Sequence, residues 1–192
     1  MTRIIAGRAR GVHLASPRSG TRPTSDRVRE ALFSSLATWF GTAEQPAAEH
    51  LEGMAVLDLY AGTGAVALEA ASRGAAQVVA VDTSTASLIS GNARKAGLRV
   101  EARAGRVEGR LPPGPWDLVF ADPPYELDSA SLDRALAPLF GSGMLNPQAL
   151  VVVERSKRST PPSWPGELDD HWCRDYGETR LYFAATRPAG ES

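Results

Sequence analysis

Asp122-Pro123-Pro124-Tyr125 closes the apolar run Leu118-Val119-Phe120-Ala121 and gathers residue types that can handle an exocyclic amine. A carboxylate at the carboxyl end of a strand accepts hydrogen bonds from an NH2 group, while two prolines fix the backbone and remove N–H donors that would compete for it. The tyrosine adds a flat face on which a base drawn out of its helix can stack. Asp122, Pro123 and Tyr125 are therefore candidate catalytic residues, and Pro124 and Tyr125 candidate base contacts. Taken alone, the tetrapeptide fits equally well a Pro-Pro turn that ends a buried strand. Its context decides.

About 60 residues upstream, Val56-Leu57-Asp58-Leu59-Tyr60-Ala61-Gly62-Thr63-Gly64 leads into the small-residue segment Ala65 to Ala71, the pattern of a strand, a glycine turn and a helix. Gly62 and Gly64 permit positive φ and a close backbone approach by a cofactor. Ala67 stands where the dinucleotide fingerprint G-x-G-x-x-G has its third glycine, which weakens a NAD reading. Asp58, four residues before Gly62, would repel a pyrophosphate but could hold the amino group of the methionine part of S-adenosylmethionine, directly or through water. The next apolar run, Gln77 to Val81, ends in Asp82, twenty residues after Gly62, the spacing at which a carboxylate receives both ribose hydroxyls. Asp82 is also placed to cap a helix over 84–96. Both roles can coexist.

These blocks together resemble class I S-adenosylmethionine-dependent methyltransferases. Further segments are similar to the RsmD family of 16S rRNA guanine-N2 methyltransferases: Arg3-Ile4-Ile5-Ala6-Gly7, the stretch Thr21 to Phe33, Ala70-Ala71-Ser72-Arg73-Gly74-Ala75, Val153-Glu154-Arg155-Ser156 and Tyr176-Gly177-Glu178-Thr179. Matching blocks recur from residue 3 to about residue 183. The resemblance implies a Rossmann-like domain, S-adenosylmethionine as donor with S-adenosylhomocysteine as product, no metal, and methylation of the N2 amine of one guanine, position 966, in 16S rRNA. The rRNA would sit in the small ribosomal subunit or an assembly intermediate. The expected cofactor residues are Asp58, Tyr60, Ala61, Gly62, Gly64, Asp82, Thr83, Gly105, Arg106 and Asp122, and the expected substrate residues Arg8, Arg10, Arg22, Arg27, Pro124 and Tyr125.

Two stretches depart from the family pattern. Many class I methyltransferases carry an acid near the adenine amino group where this chain has Ala104-Gly105-Arg106-Val107, so backbone groups of Gly105 and Arg106 are expected to make that contact. Residues 41–53, rich in Ala, Glu and Pro, exceed the usual connector and read as a solvated insertion.

The motif alone leaves other readings open. An amino-group DNA methyltransferase, acting on adenine N6 or cytosine N4, uses the same tetrapeptide, but its target-recognition domain is missing here. Carbon-5 cytosine methylation needs a cysteine nucleophile beside a proline, and Cys173 lies between Trp172 and Arg174. A non-catalytic RNA-binding assembly factor would have no need for the intact Asp122 to Tyr125.

Composition agrees with one α/β domain plus a small appendage: 192 residues, 43% hydrophobic. No run approaches the roughly 18 apolar residues of a membrane span. The basic, glycine-rich start does not read as a signal peptide. A single cysteine fits a reducing cytosol, so a cytoplasmic location is expected, with a monomer as the default state. Three scattered histidines make no metal cluster with it. The net charge of -1 conceals polarity: residues 1–30 hold seven arginines against two acids, a local balance of +5 that leaves -6 elsewhere. Such a cluster suits phosphate contacts and salt-sensitive affinity.

To position these residues the sequence predicts an amino-terminal β-hairpin from Arg3–Ala6 and Gly11–Leu14, presenting arginines at its turn, and a loop from Pro17 to Pro23. A helix follows from Thr24 or Asp26 to about Phe40, with Val28, Ala31, Leu32, Ser35, Leu36 and Trp39 inward and Arg27 and Arg29 outward. Strands at 100–103, 118–121 and 149–154, a helix at 129–140 and a closing hairpin at 172–176 and 181–185 complete a seven-stranded, mostly parallel sheet of order 3-2-1-4-5-7-6 with helices on both faces. Residues 1–23 are read as an arginine-rich extension and 24–187 as the methyltransferase domain.

Overall fold

A computed structural model describes residues 1–17, 24–141, 143–165, 168 and 170–187. The elements in chain order are α1 (Asp26–Trp39), β1 (Ala55–Leu59), α2 (Ala65–Ser72), β2 (Gln77–Asp82), α3 (Ala86–Ala96), β3 (Glu101–Ala104), β4 (Trp116–Ala121), α4 (Ser129–Leu136), β5 (Leu145–Ser156), β6 (Asp170–Tyr176) and β7 (Thr179–Ala185). The strands form one sheet of order β3-β2-β1-β4-β5-β7-β6, as expected. β1 to β5 run parallel, and β7 pairs antiparallel with both β5 and β6.

Strand pleating divides the core. On one face Val56, Val78, Ala80, Phe120 and Val152 pack under Leu32 and Phe33 of α1, Val66 and Ala70 of α2, and Ile89 of α3. On the other face Leu57, Val79, Val119 and Val151 meet Leu132 and Leu136 of α4. Predicted helix 129–140 is divided: α4 stops at Leu136, and Ala137–Phe140, which contains Pro138, winds as a 3-10 turn. α1 begins where Ser25 accepts a hydrogen bond from the Val28 N–H at 3.2 Å.

The predicted amino-terminal hairpin is present as a short antiparallel pairing rather than two full strands. Its arms are joined by the bridge Arg3 to His13 and by the N–H groups of Ile4, Gly11 and Leu14 donating to the carbonyls of Val12, Ile4 and Thr2. Toward its turn the segment is held by α2: the Glu69 carboxylate accepts the N–H groups of Ile5 at 2.8 Å and Ala6 at 3.0 Å, and Ser72 accepts those of Arg8 and Ala9. Gly7 makes this approach possible, since a Cβ there would lie 2.0 Å from the Ser72 carbonyl oxygen. Ile4, Ala9 and Leu14 are buried against Ala65, Leu68 and Ala93.

Arg29 also departs from expectation. Its side chain is fully buried, ion-paired to Asp26 at 2.9 Å and 3.9 Å from Glu69, and it donates to the Arg3 carbonyl. Burial holds its guanidinium below the ordinary arginine range against the pull of Glu69 and Asp26. It braces the amino-terminal segment and cannot face RNA. Trp39, expected in the core, is half-buried and packs at a tilt of 32° against Trp172 with ring centroids 5.2 Å apart. The insertion at 41–53 is solvated in part only: Thr42 donates to the His50 carbonyl, Leu51 is buried, and Gly74 abuts the Ala48 carbonyl.

Candidate functional site

Three strand ends converge. Asp58 is the fourth residue of β1, Asp82 the last of β2, and Asp122 directly follows β4. β1 and β4 are parallel neighbours, but the chain moves outward from them toward opposite edges of the sheet, so a crevice opens beyond their carboxyl ends. Register carries the acids to one side: Asp58 pairs with Phe120 and Phe120 with Val152, so Asp122 and Glu154, each two residues on, repeat the same face on adjacent strands.

Asp58 is buried and accepts the Ala67 N–H at 3.0 Å. The N-cap of α2 is Gly64, which has no side chain to cap with, so a carboxylate from β1 supplies the missing acceptor. Burial pushes the Asp58 carboxyl up to about 7; the Ala67 bond opposes this and the nearby Asp82 adds to it. One carboxylate oxygen remains for a ligand amine. Asp82 accepts from the N–H groups of Gly62 (3.0 Å), Ser84 (2.9 Å) and Thr85 (3.1 Å). Partial burial works to raise this carboxyl, but those donors outweigh it and hold it below its usual range, so it stays charged. The helix expected over 84–96 begins at Ala86 with Thr85 at its N-cap, so Asp82 does not cap it but holds the turn that leads into it together with the glycine loop.

The two loop glycines serve different ends. Gly62, at φ 55°, has open space where its Cβ would stand and can receive a ligand. Gly64, at φ 78°, has its Cβ position 2.9 Å from Ile89, so its small size serves α3 packing instead. Tyr60 takes the left-handed conformation at φ 57°, uncommon outside glycine, and its hydroxyl donates to Glu108 at 3.2 Å. Ala61 donates to the Val81 carbonyl at 3.0 Å, and Thr83 is exposed beside Asp82. The Gly105 N–H is engaged with the Asp82 carbonyl at 3.0 Å, which takes it from any adenine and leaves the Arg106 amide, whose side chain points into solvent.

Asp122 is half-buried and Pro123 buried, while Pro124 and Tyr125 stand outside, Tyr125 with 77% of its surface exposed. The Leu127 N–H closes a turn onto the Pro124 carbonyl, and the Arg155 guanidinium fastens it by donating to the Leu127 carbonyl at 2.7 Å. Two residues absent from the sequence-derived set complete the site. The Thr24 hydroxyl lies 2.9 Å from Glu154 and 3.3 Å from Asp122, standing between two carboxylates. Burial first, then the charges of Glu154 and Asp58, push the Asp122 carboxyl well up, against Thr24 and Arg155; burial likewise raises Glu154. The available signal was an acid closing the apolar run Ala149 to Val153, the same pattern that singled out Asp82.

Arg8 and Arg10 are exposed on a turn beside Ser72, at the far end of α2 from the glycine loop. An eight-residue helix separates them by about 12 Å along its axis. Arg27 is exposed on the first turn of α1, close to Thr24; Arg22 and most of the Pro17 to Pro23 loop lie outside the described residues. Asn92 ties the segments together, exchanging two hydrogen bonds with the Ala15 backbone and donating to the Thr63 carbonyl of the glycine loop.

Open space at Gly62, a charged acid beside it and a second acid with a spare oxygen fit an aminoacyl nucleoside better than a pyrophosphate. The sheet order and a crevice of this make-up define the Rossmann-like class I methyltransferase architecture. The family model described as "Conserved hypothetical protein 95" matches residues 2–185. Ribosomal RNA small subunit methyltransferase D of Escherichia coli is 32% identical, covering 99% of this chain and 92% of the relative. The chain belongs to this family. The solved Escherichia coli structure yhhF shares 29% identity over 97% of this chain and 98% of its own, with a TM-score of 0.77. A Thermus thermophilus 16S rRNA N2 G1207 methyltransferase, solved with AdoMet and guanosine, shares the fold at 21% identity, covering 87% of this chain and 45% of its own, with a TM-score of 0.61.

Proposed function

We propose that this protein, acting as a monomer, transfers a methyl group from S-adenosylmethionine to the N2 amine of one guanine, position 966, in 16S rRNA of the small ribosomal subunit or its assembly intermediate. The observation that carries the reading is the meeting in one crevice of Asp58, Asp82 and Asp122, with Tyr125 exposed at its rim. Family membership supports rRNA as the substrate class. We read residues 1–23 as an rRNA-gripping extension and 24–187 as the transferase domain.

When bound, S-adenosylmethionine supplies an electrophilic methyl group. Asp82 would receive its ribose hydroxyls, the free oxygen of Asp58 its methionine ammonium, and Gly62 its close approach. Tyr125 stacks the flipped base, worth about 1 to 3 kcal/mol. Asp122 accepts from N2–H and the Pro123 carbonyl accepts the second hydrogen. Guanine's N2 lone pair is delocalised into the ring, and these two contacts favour a pyramidal nitrogen and strengthen as it gains positive charge. Catalysis is chiefly positioning. Guanine suits a carboxylate because N1–H and N2–H are adjacent donors, whereas adenine sets an acceptor beside its amine.

The test incubates the protein and labelled S-adenosylmethionine with undermodified small subunits, naked rRNA and duplex DNA, then maps the modified nucleotide. Label on guanine N2 of 16S rRNA is expected. Label on adenine or cytosine of DNA, or none at stoichiometric protein, refutes the reading. Asp122→Ala should lower single-turnover transfer by at least about a hundredfold, with cofactor affinity by calorimetry nearly kept; wild-type turnover in that variant would remove Asp122 from the chemistry.

A further inference from the structure

We infer that Thr24 and Glu154 are positioning residues that draw the reaction's proton away from Asp122, through the Thr24 hydroxyl, onto Glu154. The inference rests on the amine-methylating reading above and extends it to the step after methyl transfer.

The argument begins with a count of hydrogens. Thr24 has one hydroxyl proton and two carboxylate neighbours, Glu154 at 2.9 Å and Asp122 at 3.3 Å. It can donate to only one of them, and the shorter contact assigns that donation to Glu154. The longer contact becomes a hydrogen bond only when Asp122 carries a proton and donates it to the Thr24 oxygen. Two acids joined through one hydroxyl therefore form a chain with two arrangements. In the first Asp122 is protonated and Glu154 is not; in the second the reverse holds.

Methylation of an amine generates one proton that must leave the nitrogen. It passes to Asp122, breaking an N–H bond and forming an O–H bond. A seated base then covers Asp122, with Pro123 buried beside it, so direct return to bulk water is blocked. Asp122 passes its proton to the Thr24 oxygen while Thr24 passes its own to Glu154. One O–H bond breaks and one forms at each transfer, Thr24 is left unchanged, and Asp122 is again an anion ready for the next amine. Glu154, half-buried on the neighbouring strand, holds the proton until release. Burial raises the affinity of both acids for a proton, and the Glu154 charge adds to this at Asp122, which suits a pair that must accept one. The groups acting on Asp122 are Glu154 and Arg155 from β5, Asp58 from β1 and Thr24 ahead of α1.

The two partners act on different ends of the chain, and this makes the test. Glu154 raises the Asp122 titration midpoint by its charge, and Thr24 lowers the Glu154 midpoint by donating to it. Carboxyl 13C NMR of the free protein should therefore show the Asp122 midpoint falling in Glu154→Gln, and the Glu154 midpoint rising in Thr24→Val and returning to the wild-type value in Thr24→Ser. The acid limb of the single-turnover pH profile on 16S rRNA should fall with Asp122 in Glu154→Gln. At the optimum, Glu154→Gln and Thr24→Val should each slow transfer by on the order of a hundredfold, with Thr24→Ser restoring most of the rate. Calorimetric binding of S-adenosylmethionine reports that each variant is folded.

Midpoints that do not move overturn the shared chain. Midpoints that move while the rate limbs stay fixed overturn the relay alone. A wild-type protein that methylates no guanine overturns the functional reading, and the relay with it.

Discussion

Asp58 is held in a state that the folded protein resists. Burial lifts its carboxyl from 3.8 to about 7, so ionisation at neutral pH works against the fold. The sign follows from linkage: with the folded value raised, the stability contributed is fully present below the unfolded value near 4 and is lost as pH rises through about 7. Asp58→Asn keeps an acceptor for the Ala67 N–H and removes the charge. Without cofactor the variant should be more stable than wild type by up to about 4 kcal/mol at pH 8, with the gap shrinking toward pH 4, as thermal melts at several pH values would show. Its affinity for S-adenosylmethionine should fall, since a neutral amide offers an ammonium less. An unchanged melting temperature at pH 8 would mean that the acid is better solvated than its burial implies.

Among the elements, α2 does two unrelated jobs. Its first turn meets the glycine loop, while Glu69 and Ser72 on later turns hold the amino-terminal segment. Glu69 is fully buried, accepts two backbone N–H groups and faces Arg29 and Arg73. Glu69→Ala would strand those donors and two guanidinium groups in the interior, which costs about 3 to 5 kcal/mol. A lower melting temperature, together with tryptic cleavage at Arg3, Arg8 or Arg10 before the rest of the chain, is the expected result; resistance of those sites would show another anchor. This double use explains what the sequence concealed. The central strands β1, β2 and β4 were legible because each is a short apolar run closing on an acid or a turn, and the order of the parallel strands followed from alternation with helices. The shortness of the hairpin was not legible, because alternation around a Gly-x-x-x-Gly turn cannot reveal that a helical carboxylate takes the N–H groups of Ile5 and Ala6. Thr24 and Glu154 were hidden for a related reason: their pairing exists only across 130 residues of sequence, through strand register.

For the whole molecule, what matters is where the positive charge sits. The net charge of -1 gives no hint of nucleic acid, whereas Arg3, Arg8, Arg10 and Arg27 are exposed on the amino-terminal segment and the start of α1. Arg29 contributes nothing to that surface. Replacing Arg8 and Arg10 by Ala should weaken rRNA binding and lower the slope of log affinity against log salt by up to about two, with cofactor affinity unchanged. Filter binding across a salt series would measure it, and an unaltered slope would remove this turn from the rRNA interface.

One amide, Asn92, grips both the segment leaving the arginine turn and the glycine loop. On the proposed reading, a polynucleotide held by the first and a nucleoside settled against the second would both bear on this one side chain, and any coupling between the two guests would be reciprocal.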